Sequence, residues 1–155
     1  MSTVDAVQIQ RAGVEDIETV VPLFEAYRAY YRADADAARA GVFITERIRN
    51  ADSVVFVARV GDEAVGFVQL FPKYSSVNLS REWILNDLFV APEHRRKGYA
   101  DALMGAAEAF ARSTGAAKVT LKTELTNESA RALYESRGWR ADEVFVTYAL
   151  RFRDE

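Results

Sequence analysis

One continuous stretch, from Asn86 to Ala100, limits what this chain can fold into more than any other part of it. The stretch begins as an apolar strand, turns at Pro92, and becomes a basic loop containing Gly98 before a helical pattern starts. The first amides of a helix have no intrahelical acceptor, and the helix dipole adds partial positive charge beside them. This succession of strand, basic glycine loop and helix therefore predicts a site for a phosphate group.

The loop suits an anion for two separate reasons. Gly98 has no Cβ, so a phosphate can come close to the backbone. The side chains of Arg95, Arg96 and Lys97 add positive potential. The chain contains neither G-x-x-x-x-G-K-S/T nor G-x-G-x-x-G, which excludes the two better-known phosphate loops.

Two motifs resemble those of one known family. The loop reads Arg95-x-x-Gly98-x-Ala100, which resembles the acyl-CoA signature R/Q-x-x-G-x-G/A of the GCN5-related N-acetyltransferases (GNAT). Downstream, residues Asn127 to Trp139 resemble the family's N…A…LYE…GF segment. The likeness covers nearly the whole chain, and within the family it is to the bacterial HPA2-like branch.

Residue periodicity predicts a single domain over residues 1–155 with elements in the order βααββ–βαβαβ. In the second helix, Ala38, Val42, Phe43 and Ile48 are expected to be buried. Pro22 predicts a kink or an irregular first turn in the first helix. The predicted helices are 14–32, 36–50, 99–112 and one capped by Thr126 or Asn127; the predicted strands are 7–11, 54–58, 64–71, 83–90, 119–122 and 143–152.

This order predicts an α/β fold whose sheet is antiparallel at first and parallel in the middle. The resemblance implies the GNAT fold, a mixed and mostly antiparallel sheet with flanking helices and splayed, parallel central strands. The splay is expected between strands 83–90 and 119–122, with the pantetheine arm of CoA in the split.

Composition excludes several kinds of chemistry. The chain has no cysteine, one histidine (His94) and no G-x-S-x-G elbow, so a covalent acyl-enzyme, a hydrolase and a metal site are not expected. Its net charge of −3 is unlike that of nucleic-acid binders. It lacks a membrane-length apolar run and a signal-peptide pattern, so we expect the cytoplasm and no membrane contact.

The resemblance implies acetyl-CoA as co-substrate. Pantetheine would lie along the strand end at residues 88–90, and pyrophosphate on the amides of residues 96–100. Asn127 would bond the pantetheine chain or serve only as a helix cap. The expected CoA-binding residues are therefore Leu88, Phe89, Val90, Arg95, Arg96, Lys97, Gly98, Tyr99, Ala100, Asn127 and Tyr134.

The resemblance also implies catalytic roles for two side chains. Tyr134 would protonate the leaving thiolate; the alternative is an aromatic that only packs in the core. Asp87 would be the general base; the alternative is a structural carboxylate that bonds loop amides. Strand alternation predicts that Asn86 and Asp87 point to opposite faces. Glu82 and Glu124 are further candidates for the base, and an amide at a bulge near residues 88–90 would hold the thioester oxygen.

The acceptor is expected to be a primary amine held by the first two helices, the loop 72–76 and the last hairpin. Small amines, polyamines, amino acids, aminoglycosides and protein amines all remain open, as does a non-catalytic acyl-CoA sensor. A homodimer is possible, through an exposed edge strand or an apolar helix face. Aromatic side chains able to hold a cationic amine, or else to pack in the core, are Tyr27, Tyr31, Tyr74 and Trp83.

Overall fold

The computed structural model describes residues 6–31 and 33–154, and these form two compact units. The first unit extends to Lys122 and contains every strand of the described chain. The second begins at Thr123 and contains one helix. Among the described residues, no helix combines the length and the apolar character that crossing a bilayer requires.

The first unit is built on a five-stranded sheet whose strands lie in chain order. The first four strands pair antiparallel, and the fifth joins the fourth in parallel. A parallel neighbour requires a crossover, and a helix supplies it here. The mixed α/β sheet that the sequence predicts is therefore confirmed. The strands are β1 (Val7–Arg11), β2 (Val54–Val60), β3 (Glu63–Ser75), β4 (Ser80–Val90) and β5 (Val119–Thr120).

Three helices cover the two faces of this sheet: α1 (Ile17–Tyr30), α2 (Ala37–Arg49) and the crossover helix α3 (Tyr99–Ser113). Val55 and Val57 share a buried cluster with residues of α1 and α2. Phe56 points the other way, and its ring centroid lies 5.8 Å from that of Phe110 in α3. Because neighbouring strand residues face opposite sides, α1 and α2 lie on one face and α3 on the other.

The bounds of α2 match the predicted helix and Ile48 packs against the core as predicted, but the rest of the buried side differs from the prediction. The side chain of Asp36 caps the helix by accepting from the amide of Arg39. Ala40 and Ile44 are buried, whereas Val42 is 57% exposed and Phe43 42% exposed. Both apolar stripes fit a helical period, so the packing partner determines which one is covered.

The bounds of several strands, and the start of the first helix, differ from the prediction. Residues 72–75, predicted as a loop, belong to β3 and pair with the start of β4. Only two residues of the predicted strand 119–122 pair with a neighbour. The first helix begins with a short 3₁₀ turn at Val14–Asp16 and then continues through Pro22.

The second unit contains α4 (Glu128–Ser136). Gly138 ends it at a φ of +89°, and the amide of Trp139 donates to the carbonyl of Tyr134 at 3.0 Å. The prediction of a closing strand over residues 143–152 is wrong, since these residues pair with no strand in the described chain. Strand-like sequence alone does not make a strand, because the backbone needs a partner for its hydrogen bonds.

Candidate functional site

The loop after β4 leaves backbone amides exposed at the start of α3. Gly98 has a φ of +83°, and a Cβ built on it would meet nothing within 4 Å. The amide of Ala102 donates to the carbonyl of Gly98 at 3.1 Å, so the amides before it belong to the first helical turn. Arg96 also has a positive φ, +61°, which redirects the chain just before the helix. This geometry suits an anion bound by backbone amides.

The side chain of Arg95 is held against the end of β4. Its Nε donates to the carbonyl of Val90 at 3.0 Å. Its guanidinium lies 4.8 Å from the ring centroid of Tyr30 and 5.8 Å from that of Phe89. Arg95 therefore connects the loop to β4 and to α1. The ring of Tyr99, at the start of α3, is buried in the core. Arg96 and Lys97 are exposed.

The sheet opens on the β5 side of β4 soon after the two strands meet. They pair only at Trp83 with Val119 and at Ile84 with Thr120. From Leu85 to Val90, β4 keeps its ladder with β3 alone. Over this length, the other edge of β4 is left without a described strand beside it. The opening lies where the splay was predicted.

A β-bulge at Asn86 determines which way the end of β4 faces. Asp87 pairs with Gln69 and Leu85 pairs with Leu70, which leaves Asn86 without a partner on β3. The predicted bulge near residues 88–90 thus lies earlier in the strand. The extra residue breaks the simple alternation that was expected of this strand.

The effect of the bulge is visible in two aromatic residues of β4. Trp83 and Phe89 are an even number of residues apart, so a regular strand would place both on one face. Instead Trp83 packs on Phe110 of α3, with centroids 5.1 Å apart, whereas Phe89 lies 6.2 Å from Tyr27 of α1. The bulge therefore turns Asp87, two residues before Phe89, toward α1 and α2.

Asp87 is a buried carboxylate, only 4% exposed, held by three side chains. Its two oxygens accept from Gln69 Nε2 and, at 3.0 Å, from Asn86 Nδ2, and the hydroxyl of Tyr27 also bonds to it. Burial raises the pKa of Asp87, and these hydrogen bonds oppose part of the rise. A carboxylate with a raised pKa is a stronger base when ionised, which suits proton transfer near neutral pH.

Gln69 is a residue of this site that sequence reasoning missed. It is completely buried, and its Oε1 has no hydrogen-bond partner among the described residues. A polar side chain in the apolar run from Phe67 to Phe71 was the signal that could have drawn attention to it. A buried amide of this kind needs a partner, and the Asp87 carboxylate provides one.

The two further candidates for a base lie elsewhere. Glu82 is 3% exposed, and its Oε1 lies 3.9 Å from both Lys73 Nζ and Lys118 Nζ. Glu124 is an exposed residue of the second unit.

The four aromatic residues predicted to contact the acceptor do not share one environment. The hydroxyl of Tyr27 bonds Asp87, and the ring centroids of Tyr27 and Tyr31 lie 5.0 Å apart. Tyr74 is 66% exposed, and its hydroxyl accepts from Arg81 at 2.7 Å. Trp83 is buried on the α3 face, where its indole N–H donates to Thr114. Only Tyr27 and Tyr31 lie on the same side as Asp87.

A cavity of about 550 Å³ lies between α1 and α2, on the side of the sheet that Asp87 faces. The rings of Phe24 and Phe43 are stacked there, 5.8 Å apart. Charged groups line it as well, so it could hold a molecule with both apolar and ionic parts. Its lining residues are Phe24, Arg28, Ala38, Arg39, Ala40, Val42, Phe43 and Glu46.

Among the described residues, one group of side chains has the spacing of metal ligands. Ligand atoms of Glu63, Glu93 and His94 lie within 4.8 Å of one another, beside the β2–β3 turn. His94 Nε2 lies 3.1 Å from Glu63, and this hydrogen bond accounts for the arrangement.

Asn127 and Tyr134, the remaining predicted site residues, both belong to the second unit. Asn127 caps α4, its Oδ1 accepting from the amide of Ala130 at 3.2 Å. Tyr134 is partly buried, and its ring centroid lies 6.2 Å from that of Trp139. The cap is one of the two roles considered for Asn127; the role of Tyr134 stays a prediction.

The fold, the glycine loop and the opened strand edge agree with a comparison to known families. A model described as "Acetyltransferase (GNAT) family" matches residues 20–139, well over half of the chain. The chain belongs to this family. The match confirms the GNAT fold and family that the motifs indicated, and the HPA2-like branch stays a prediction.

Individual relatives agree with this assignment. An uncharacterized N-acetyltransferase, YhfO, of Bacillus subtilis (strain 168) is 43% identical, over 92% of this chain and 95% of its own length. The crystal structure of a probable acetyltransferase is 39% identical, with a TM-score of 0.90 over 96% of this chain and 99% of that chain. These similarities support N-acetyltransferase activity for this GNAT protein.

A more distant structure shows the same fold. The aminoglycoside N-acetyltransferase AAC(6')-Iy, solved in complex with CoA, is 21% identical. Its TM-score is 0.79, over 94% of this chain and 95% of that chain.

Proposed function

We propose that this protein transfers an acetyl group from acetyl-CoA to a primary amine, directly, while both substrates are bound. One observation carries the proposal: the bulge at Asn86 turns the buried Asp87 toward α1 and α2, on the same strand that leads into the Gly98 loop. The strand thus joins a candidate base to a candidate anion site. Family membership supports acetyl-CoA as the donor.

The donor would bind along β4 and the loop that follows it. The open edge of β4 from Leu85 to Val90 offers backbone groups to an extended pantetheine chain, as an added strand does. The first amides of α3 would receive the pyrophosphate. Arg96 and Lys97, both exposed, would add positive charge, whereas the Arg95 side chain already bonds Val90.

The transfer needs two proton movements. The neutral amine nitrogen attacks the thioester carbon and loses one proton to Asp87, directly or through water, as the carbon–nitrogen bond forms. The carbon–sulfur bond breaks, and the leaving thiolate takes a proton from the hydroxyl of Tyr134. Gln69 and Tyr27 would orient the Asp87 carboxylate, and the raised pKa of Asp87 suits the first proton transfer.

We further propose that the acceptor approaches from the α1 and α2 side, because Asp87 faces that side. The cavity beside Phe24 and Phe43 would hold the body of the acceptor, with Glu46 beside a positive group and Arg28 and Arg39 beside any negative one. Small-molecule and protein amines both fit this description.

A two-part experiment tests the function. The protein is titrated with acetyl-CoA by calorimetry, and free CoA release is then measured across a panel of small amines, aminoglycosides and peptides. We expect micromolar binding and amine-dependent release. Binding without release for any amine would favour the non-catalytic sensor, and absence of binding would overturn the proposal.

A further inference from the structure

Among the described residues, the cavity between α1 and α2 has one charged group without a charged partner. Glu46 lies 3.8 Å from Arg47, and Arg39 lies 3.9 Å from Asp36, so these two residues of the cavity wall each have a counter-ion. No carboxylate of the described chain lies within 4 Å of Arg28. The guanidinium of Arg28 is therefore the charge of this cavity that is left for a ligand.

The side chain of Arg28 is positioned at the wall of the cavity. It is partly buried, and its Nη1 donates to the backbone carbonyl of Asp34 at 3.1 Å. This bond fixes one arm of the guanidinium and leaves the other donors of its planar fork for another acceptor. Such a fork matches the two oxygens of a carboxylate, and solvent screens a partly buried charge less than an exposed one.

Helix α1 places this arginine next to the proposed reaction centre. Arg28 follows Tyr27, whose hydroxyl bonds the buried Asp87. Phe24 lies one turn before Arg28 on the same face of the helix, and its ring centroid is 6.4 Å from that of Tyr27. The Asp87 end of the site and the cavity are thus about one aromatic ring apart.

We propose that the acceptor is an amino carboxylate: its amine lies at Asp87, its apolar body fills the cavity, and its carboxylate bonds Arg28. This inference rests on the proposed acetyl transfer and names the substrate class for it. Because one ring separates the two ends of the site, the amine and the carboxylate must be several bonds apart, as in an ω-amino acid or a dipeptide. The amine and carboxylate on the α-carbon of a single amino acid are too close together.

The aromatic wall of the cavity fits the apolar part of such a molecule. The rings of Phe24 and Phe43 are stacked 5.8 Å apart, and Phe43 is 42% exposed. A volume of about 550 Å³ is typical of a small-molecule site. An acceptor in the cavity would remove the surface of Phe43 from water, which supplies affinity, while Arg28 determines the orientation of the molecule.

The charges of the cavity disfavour a polycation. A polyamine or an aminoglycoside would bring further positive charge beside Arg28, and like charges repel. The charge of Glu46 is partly neutralised by Arg47, and the guanidinium of Arg47 also lies 5.1 Å from the ring centroid of Phe43. The cavity therefore favours an acceptor with one negative end over an acceptor with several positive groups.

Matched pairs of amines that differ in one carboxylate test the inference. The first pair is ω-aminohexanoate and hexylamine, and the second is glycylphenylalanine and its C-terminal amide. For the wild type, we expect kcat/KM to be roughly tenfold or more higher for the carboxylate of each pair, the scale of a hydrogen bond between charged groups. Phenylalanine and phenethylamine form a short pair, for which we expect no preference.

Substitutions of Arg28 show whether this residue recognises the carboxylate. Arg28→Gln should bring the ratio of kcat/KM within each long pair close to one. Arg28→Glu should reverse the preference, so that hexamethylenediamine becomes a better acceptor than ω-aminohexanoate, and a merely structural role would not produce this reversal. Arg49→Gln, at an exposed position in the last turn of α2, is the control for loss of one positive charge and should keep the wild-type ratios. Circular dichroism and acetyl-CoA titration check the fold and donor binding of each variant.

The outcomes separate this inference from the proposed function. Turnover without a carboxylate preference in the long pairs would overturn the inference and leave acetyl transfer standing, as would a preference that Arg28→Gln does not change. An equal preference in the short pair would overturn the spacing of the two ends. If no amine is turned over, the proposed function fails and this inference fails with it.

Discussion

Asp87 shows how one residue can depend on a small distortion of the backbone. Without the bulge, it would share a face with Trp83 and lie under α3, away from Tyr27. With the bulge it lies among Gln69, Asn86 and Tyr27, where burial raises its pKa. Its chemistry is therefore a property of the strand's irregularity as much as of the residue.

Replacing this carboxylate tests its role as a base. Asp87→Asn keeps the size of the side chain and removes its ability to take a proton, so we expect kcat to fall roughly 10²–10⁴-fold. Acetyl-CoA affinity should change little. Asp62→Asn in the exposed β2–β3 turn is the control for loss of a negative charge. Activity within a few-fold of wild type for Asp87→Asn would identify Asp87 as a structural carboxylate.

The same variant should change how the stability of the folded protein depends on pH. The pKa of Asp87 is raised in the folded chain, so the folded state holds this proton to a higher pH than the unfolded state does. Its contribution to stability is present at acid pH and is lost as pH rises through the folded pKa.

An asparagine side chain at this position cannot ionise, so the variant escapes this loss. We expect the Tm of Asp87→Asn, relative to that of the wild type, to increase from acid to neutral pH. Calorimetry at several pH values measures this difference. A difference that shrinks as pH rises would mean that the environment favours the ionised carboxylate.

Tyr134 is tested by the removal of one oxygen atom. Tyr134→Phe keeps the ring and its packing near Trp139 while it removes the proton that the leaving thiolate would take. We expect kcat to fall roughly 10²–10⁴-fold with acetyl-CoA affinity nearly unchanged. If kcat falls less than threefold, Tyr134 contributes packing and the thiolate takes its proton elsewhere.

At the scale of elements, the joint between β4 and α3 is the place that we propose for donor binding. Gly98 occupies a left-handed conformation with open space around it. Gly98→Asp would bring a carboxylate to the place proposed for the pyrophosphate. We expect acetyl-CoA affinity to fall by roughly 1–3 kcal/mol or more, the scale of a lost charged hydrogen bond. Calorimetric titration measures it.

Gly115, at the other end of the same helix, is a matched control for that variant. It also has a positive φ, +74°, and open space around it. Gly115→Asp should therefore impose similar backbone strain and leave acetyl-CoA affinity unchanged. Equal losses in both variants would assign the effect to strain in α3 and not to the loss of an anion site.

At the scale of the whole molecule, the lack of a nucleophile predicts the order of the reaction. A ping-pong route needs a side chain that takes the acetyl group, usually one activated by a neighbouring base. The chain has no cysteine and one histidine, and that histidine bonds Glu63 at the β2–β3 turn. Direct transfer needs only that both substrates be positioned together.

Initial rates at several fixed acetyl-CoA concentrations measure this order. We expect double-reciprocal lines that intersect. Parallel lines, or an acetylated protein that forms with acetyl-CoA alone and is consumed by the amine, would contradict direct transfer.

Local patterns in the sequence were enough to predict several features of the structure. The Gly98 loop, the start of the second helix near Asp36 and the cap of α4 at Asn127 all lie where they were predicted. Each depends on contacts within a few residues, or on a conformation that one residue type allows, so the information lies close by in the chain.

The remaining features depended on partners distant in sequence. Whether Ala40 or Val42 of α2 is buried, where β4 bulges, and whether residues 143–152 pair with a strand were all settled by neighbouring elements. The sequence by itself determined the family, the position of the glycine loop and the order of most elements, because these are written in local motifs. Only the tertiary structure decided the face of Asp87 and the stripe of α2 that is covered, because both depend on which element lies beside them.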